Sequence, residues 1–217
     1  NAPMTLIGVA EKGYLTLQLQ VTGAGGHSNA PGSATAVDTL AKAIVALRSK
    51  TFSRSYDGVT RDMLDAIAPH APLMARMAIA NSWMFEPLLM SQLSATPQGA
   101  AVLQTTIAPT MLQGSLKENV LPTAATATVN FRIMPRESID GVIARVRDSL
   151  GDLPVKVTVV GTREEPSPIA NTDSDGYRLI AGLAASTFDA PNVSCIRRTW
   201  PAYRPSRTRW VGVRYGS

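Results

Sequence analysis

An α+β fold is what this 217-residue sequence predicts: an antiparallel sheet with helices on one face and a helical insertion part-way along. Three observations lead there. Strict apolar/polar alternation marks strands, and apolar stripes at helical spacing mark two amphipathic helices. These segments follow one another as strand, helix, insertion, strand, strand, helix, strand. That order suggests the split βαβ, or ferredoxin-like βαββαβ, open-faced sandwich, with the insertion between the first helix and the second strand.

The first strand is "KGYLTLQLQVTG" (12–23), where Leu15, Leu17, Leu19 and Val21 alternate with Thr16, Gln18, Gln20 and Thr22. Period two over eight residues buries one face of a strand. A glycine-rich turn, "GAGGHSNAP" (23–31), follows, and then a helix with Val37, Leu40, Ile44 and Leu47 on one stripe and Ser33 as its expected N-cap. Residues of about 51–101 read as helices and loops punctuated by Pro69, Pro72, Pro87 and Pro97. The Met- and Leu-rich run "LMARMAIANSWMFEPLLMSQL" within them reads as an added packing layer. Extended segments are expected at 101–112, 124–135 and 154–161. Between the last two lies a helix carrying Ile139, Val142, Ile143, Val146 and Leu150, with Ser138 as its cap. Residues 162–176 are turn-rich and place a domain boundary; "YRLIAGLAAST" reads as one more helix, and the arginine-rich stretch beyond it shows neither period.

Composition narrows the function classes. The net charge of +5 does not describe the body of the chain, because residues 195–217 hold six arginines and no acid, which leaves the remainder at +5 − 6 = −1. A basic nucleic-acid face would have to be this tail alone. No apolar run approaches the ~20 residues a spanning helix needs, and no secretory signal is read at the N-terminus. The single cysteine, Cys195, excludes an internal disulfide.

The chemistry-bearing residues are few. Catalytic zinc takes three protein ligands as a rule, and His27, His70 and Cys195 stand without any HxD, HExxH or CxxC pairing. The adjacent carboxylates Glu164 and Glu165 read as a ligand pair or, more simply, as a solvated loop before Pro166. No GxSxG elbow supports a serine nucleophile, and "GAGG" fits no phosphate loop. Three polar residues remain. His27 sits in the turn that ends the first strand, and Asn119 lies in "LKENVLP", a turn closed by Pro122. Arg132 lies on the third strand, where Ala125, Ala127, Val129, Phe131 and Ile133 form the apolar face; period two sends Arg132 to the other face with Thr128 and Asn130. An arginine there can grip a carboxylate bidentately, or simply pair with a neighbouring acid.

Taken together, "EKGYLTLQLQVTGAGGHSNAP", "NSWMFEPLL", "LQGSLKENVLPTAATATVNFRIMP" and "EPSPIANTD" resemble peptidase family M-20 over roughly residues 8–190. This is the di-zinc family of aminoacylases, succinyl-diaminopimelate desuccinylase and glutamate carboxypeptidase. The insertion is similar to that of the carboxypeptidase S and N-acyl-amino-acid hydrolase branch. The resemblance implies a lid, or dimerisation, domain over 1–162 and the start of the C-terminal part of the catalytic domain over 163–217, incomplete or atypical after 195. It also implies a zinc-dependent carboxypeptidase or amidohydrolase, a homodimer formed through the lid, and two zinc ions held by segments other than this chain. The chain alone would then be inactive and hold no metal. It further implies that His27 stabilises the substrate carbonyl oxygen of a partner subunit's site, that Asn119 lines that site, and that Arg132 binds the substrate carboxylate. The family's last ligand, a histidine in a T-D-[SA]-R-H motif, has no counterpart in "PSRTRWVGVRYG". Neither a membrane nor a nucleic-acid partner is expected. The alternative is a small-molecule-sensing regulatory domain of the same topology. An RNA-binding sheet would need exposed aromatics on the third strand, where "TATVNFRIM" offers only Phe131 on the apolar side.

Overall fold

The computed structural model describes residues 5–56, 58–188, 192–197 and 209–212. In chain order the first elements are β1 (Thr5–Glu11), β2 (Gly13–Thr22), β3 (Gly26–His27), α1 (Ala36–Ser49) and α2 (Gly58–Ile67). A 3₁₀ turn (Ala68–His70), α3 (Leu73–Ala80), α4 (Ser82–Ser94) and α5 (Pro97–Leu103) follow. Then come β4 (Thr106–Gln113), β5 (Val120–Leu121), β6 (Ala124–Ile133), α6 (Ile139–Leu150), β7 (Lys156–Val159), α7 (Asp175–Phe188), β8 (Asn192–Arg197) and β9 (Arg209–Gly212). The chain divides into two compact units, one of Gly13–Ser53 and Thr105–Pro166, the other of the remaining segments.

The first unit is the expected antiparallel sheet with helices on one face. Its strands run in the order β4-β6-β2-β7, each neighbouring pair antiparallel. Alternation does what it predicts: Leu15, Leu17, Leu19, Val129, Phe131 and Ile133 are wholly buried, beneath Leu40, Ala43 and Leu47 of α1 and Val142 and Val146 of α6. Each such aliphatic side chain contributes about 2 kcal/mol when removed from water. Phe52 meets Phe131 edge-on at 6.5 Å and adds an aromatic pair to the same core. The helix-free face carries the polar set Tyr14, Thr16, Gln18 and Gln20 on β2 and Thr126, Thr128, Asn130 and Arg132 on β6, all half-buried.

Three local expectations need correction. The cap of α1 is Thr35, not Ser33: its Oγ1 accepts from the Asp38 N–H at 3.2 Å while the Asp38 carboxylate accepts from the Thr35 N–H at 2.8 Å. This reciprocal box outcompetes a serine two residues earlier, and the same bonds, the backbone one foremost, hold the Asp38 carboxyl below its ordinary 3.8. The buried stripe of α1 is Ala36, Leu40, Ala43 and Leu47, which leaves Val37 exposed. Residues 101–103 belong to α5 rather than to a strand, since Thr96 caps a helix with Pro97 in its first turn. Ser138 caps α6 as expected, its Oγ accepting from the Gly141 N–H at 3.2 Å.

In the second unit, β1 lies between β8 and β9, parallel to both. "TLIGVAE" is buried along nearly its whole length, the signature of a strand covered on both faces, which alternation does not reveal. The stretch read as having neither period contains β8 and β9; the intervening 198–208 lie outside the described residues. Helices α2, α3, α4 and α5 fill the insertion, with a small core of Tyr56, Leu64 and Ile79. Burial there raises the Tyr56 phenol above 10.0. Lys12 is buried, and its Nζ donates to the carbonyls of Ala101 and Gln104 at 2.6 and 2.9 Å. A cation at the C-terminal end of α5 satisfies carbonyls that have no partner within that helix.

Candidate functional site

His27 lies past the end of β2 but not in an open turn. It forms β3 with Gly26, and this two-residue strand pairs antiparallel with β5, His27 opposite Val120 and Gly26 opposite Leu121. The local sequence explains the geometry. Gly23 N–H donates to Thr123 O at 2.8 Å, which closes the β2/β6 ladder. Gly25 and Gly26 then take φ of +70° and +132°, conformations that side chains rarely adopt, and turn the chain into the ribbon. A Cβ at Gly25 would also stand 2.9 Å from Thr123 Cγ2. The ribbon brings Asn119 beside His27: Ser28 N–H donates to Asn119 O at 3.1 Å. Both residues are exposed. Two of the three predicted site residues are therefore neighbours, across 92 residues of sequence.

Arg132 lies elsewhere. On β6 it faces Tyr14 of β2 and Thr106 of β4, and its guanidinium carbon stands 4.5 Å from the centroid of the Tyr14 ring. The ribbon grows from the other end of the ladder, beyond the Thr22–Ala124 pair. Eight residues of β2 separate Tyr14 from Thr22, about 26 Å of strand. His27 and Asn119 thus share one end of the sheet, and Arg132 occupies the opposite end.

The adjacent carboxylates have separate tasks. Glu164 exchanges backbone hydrogen bonds with Tyr14, at 2.8 Å in each direction. The Glu165 carboxylate accepts from the Ile139 N–H at 3.1 and 3.3 Å, at the positive end of the α6 dipole. Among the described residues no three His, Cys, Asp or Glu side chains gather as a metal site requires, so these residues do not fit a zinc centre. No helix among them is long and apolar enough to cross a membrane. One contributor escaped the sequence reading. Tyr14 is not singled out there, because its partnership with Arg132 depends on register.

Comparison with known proteins shows the family and the fold. The family model of the peptidase dimerisation domain matches residues 9–158. An N-fatty-acyl-amino acid synthase/hydrolase from Xenopus tropicalis is 32% identical over 204 residues, covering 92% of this chain and 40% of the relative. A probable carboxypeptidase S-like protein from Dictyostelium discoideum is 33% identical over 188 residues, covering 87% and 36% respectively. The chain thus spans about two fifths of the length of these curated relatives. Among solved structures, an M20 family metallo-carboxypeptidase from Sulfolobus solfataricus shares the fold with a TM-score of 0.60 at 16% identity, over 90% of this chain and 48% of that one.

Proposed function

This chain belongs to the family of peptidase dimerisation domains, and on that premise we propose that it is the lid and dimerisation module of a zinc-dependent hydrolase acting on the amide bond of dipeptides or N-acyl amino acids. The observation that carries the reading is the division of its polar residues between two ends of one sheet. A dipeptide extends about 7 Å, so no such substrate touches both His27 and Arg132 of one chain across some 26 Å of strand. In a two-fold dimer the requirement disappears: each site takes Arg132 from one protomer and His27 with Asn119 from its partner.

In this reading the antiparallel unit is the lid, and β1 together with the segment from Ser167 onward belongs to the catalytic half. The two zinc ions would be held by that half and would supply Lewis-acid activation of the substrate amide. The work of this chain is binding and charge stabilisation. An imidazole N–H of His27 donates to the carbonyl oxygen as negative charge develops on it, and the Asn119 carboxamide lines the same pocket. Arg132 pairs bidentately with the terminal carboxylate and so sets which amide enters the site. The chain alone would not hydrolyse substrate.

The dimer surface has structural support. β4 is an edge strand of the sheet, with Met111 and Leu112 exposed. α1 lies along it: Arg48 donates to Ile107 O at 2.7 Å, and the space beside Gly114 is bounded by Val37. Val37 and Val45 are exposed on that helix. An unpaired edge beside exposed apolar side chains suits a symmetric, self-complementary contact.

Kinetics of the intact hydrolase test the assignment. Arg132→Met raises KM for free-carboxylate substrates by about ten- to a hundredfold, the worth of a charged hydrogen-bonded pair, and leaves C-terminally amidated analogues unaffected. His27→Ala lowers kcat by about 10²–10³. Wild-type parameters in both variants contradict the proposal.

A further inference from the structure

Register sets four residues in a row across the helix-free face of the sheet: Thr106, Arg132, Tyr14 and Glu164. Directly opposed residues on neighbouring strands point to the same face, so the phenol ring of Tyr14 stands beside Arg132 by construction, and the guanidinium carbon lies 4.5 Å from its centroid. The backbone beneath the ring is fixed from both sides. Tyr14 is held on one side by its place in the β2/β6 ladder and on the other by two 2.8 Å backbone bonds to Glu164. Gly13 tightens the same point, packed so closely that a Cβ would stand 2.8 Å from Glu164 O.

We infer that Tyr14 is the positioning residue for Arg132: its ring holds the guanidinium against one face, so that the N–H fork is already arranged when a substrate carboxylate arrives. Bidentate recognition depends on the plane of the guanidinium as well as on its charge, and an arginine stem free to rotate loses that freedom on binding. A cation resting on an aromatic face has lost much of it beforehand. Acting through Arg132 rather than on the reacting amide, Tyr14 would affect substrate affinity rather than turnover. The inference rests on the proposed role of Arg132 as the carboxylate grip and adds the residue that aims it.

The test uses four variants of the intact hydrolase: Tyr14→Leu, Tyr14→Phe, Arg132→Met and the Tyr14→Leu/Arg132→Met double variant. Tyr14→Leu is expected to raise KM for free-carboxylate substrates about two- to fivefold, the worth of one partly exposed cation–π contact, with kcat unchanged. Tyr14→Phe keeps the ring and behaves as wild type. In the Arg132→Met background, removing the ring has no further effect. A second readout needs no turnover. In NMR spectra of this chain the Arg132 side-chain protons are expected to be displaced by the Tyr14 ring current; Tyr14→Phe should preserve the displacement and Tyr14→Leu should abolish it. If Arg132→Met leaves KM unchanged, the carboxylate assignment falls and the positioning role falls with it. If Arg132→Met is impaired but Tyr14→Leu is not, or if the two effects add in full, only the positioning role is overturned. An undisplaced Arg132 in the unaltered chain also overturns it, whether or not the leucine variant folds.

Discussion

Gly13→Ala should be among the most damaging single-methyl changes available to this chain. The glycine is not required by its backbone conformation, since its φ is not among the positive ones. It is required by space: a Cβ there would lie 2.7 Å from Pro166 N, 2.8 Å from Glu164 O and 2.8 Å from Pro166 Cδ. Two of the three are backbone atoms, which cannot rotate aside. The segment at 164–166 must instead move off β2, and the paired 2.8 Å bonds between Tyr14 and Glu164 must lengthen. Overpacking of this kind costs about 1–3 kcal/mol, and each weakened backbone bond adds about 0.5–1 kcal/mol. With both bonds weakened the expected loss is therefore about 2–5 kcal/mol, a large fraction of the 5–15 kcal/mol typical of a folded domain. Urea denaturation followed by far-UV circular dichroism would show a midpoint about 1 M lower. Gly182→Ala is the matched control: nothing lies within 4 Å of a Cβ at that position on α7, so alanine should stabilise by about 0.5–1 kcal/mol through helix propensity alone. Equal midpoints for Gly13→Ala and the unaltered chain would refute the packing argument.

Two further outcomes follow from other parts of the fold. In the proposed symmetric dimer Leu112→Lys would place a charge on the exposed edge strand twice, and the dimer dissociation constant should rise about a hundredfold; sedimentation or light scattering over a concentration series reads it, and an unchanged constant removes β4 from the proposed interface. Asp38 gives a pH test: its folded-state ionisation lies below the ordinary 3.8, chiefly because the Thr35 backbone N–H donates to it. A carboxylate depressed in this way stabilises fully above its unfolded value and loses that contribution as pH falls through the folded one. The stability gap between Asp38→Asn and the unaltered chain should therefore be widest above about pH 5 and close on acidification, and a gap independent of pH contradicts the capping box.

What could be read in advance was whatever has a period. β2, β6 and α6 announce themselves through residues such as Leu15, Phe131 and Val146, because one face of each is buried and the other is not. β1 did not, since a strand covered on both faces has no alternation to display, and β8 and β9 are short and set among arginines. The α1 cap was missed for a different reason: "GSATAVD" offers two hydroxyls ahead of the helix, and only the carboxylate three residues after Thr35 selects between them. Site residues divide in the same way. His27 and Asn119 are legible as turn residues within motifs, but their adjacency arises from the β3–β5 ribbon. Arg132 was legible to the correct face, whereas the aromatic ring beside it follows from register alone.

The claim on which the rest depends is that each site draws Arg132 from one protomer and His27 from the other, and subunit mixing tests it directly. Homodimers of Arg132→Ala and of His27→Ala each damage both of their sites. In the mixed dimer one site inherits both defects and the other inherits neither. Random reassortment of equal amounts makes about half the dimers mixed, each with one intact site, so about a quarter of wild-type activity should return. No recovery on mixing, with exchange of subunits demonstrated, would show that both residues serve a site from the same protomer, and the division of labour across the sheet would be wrong.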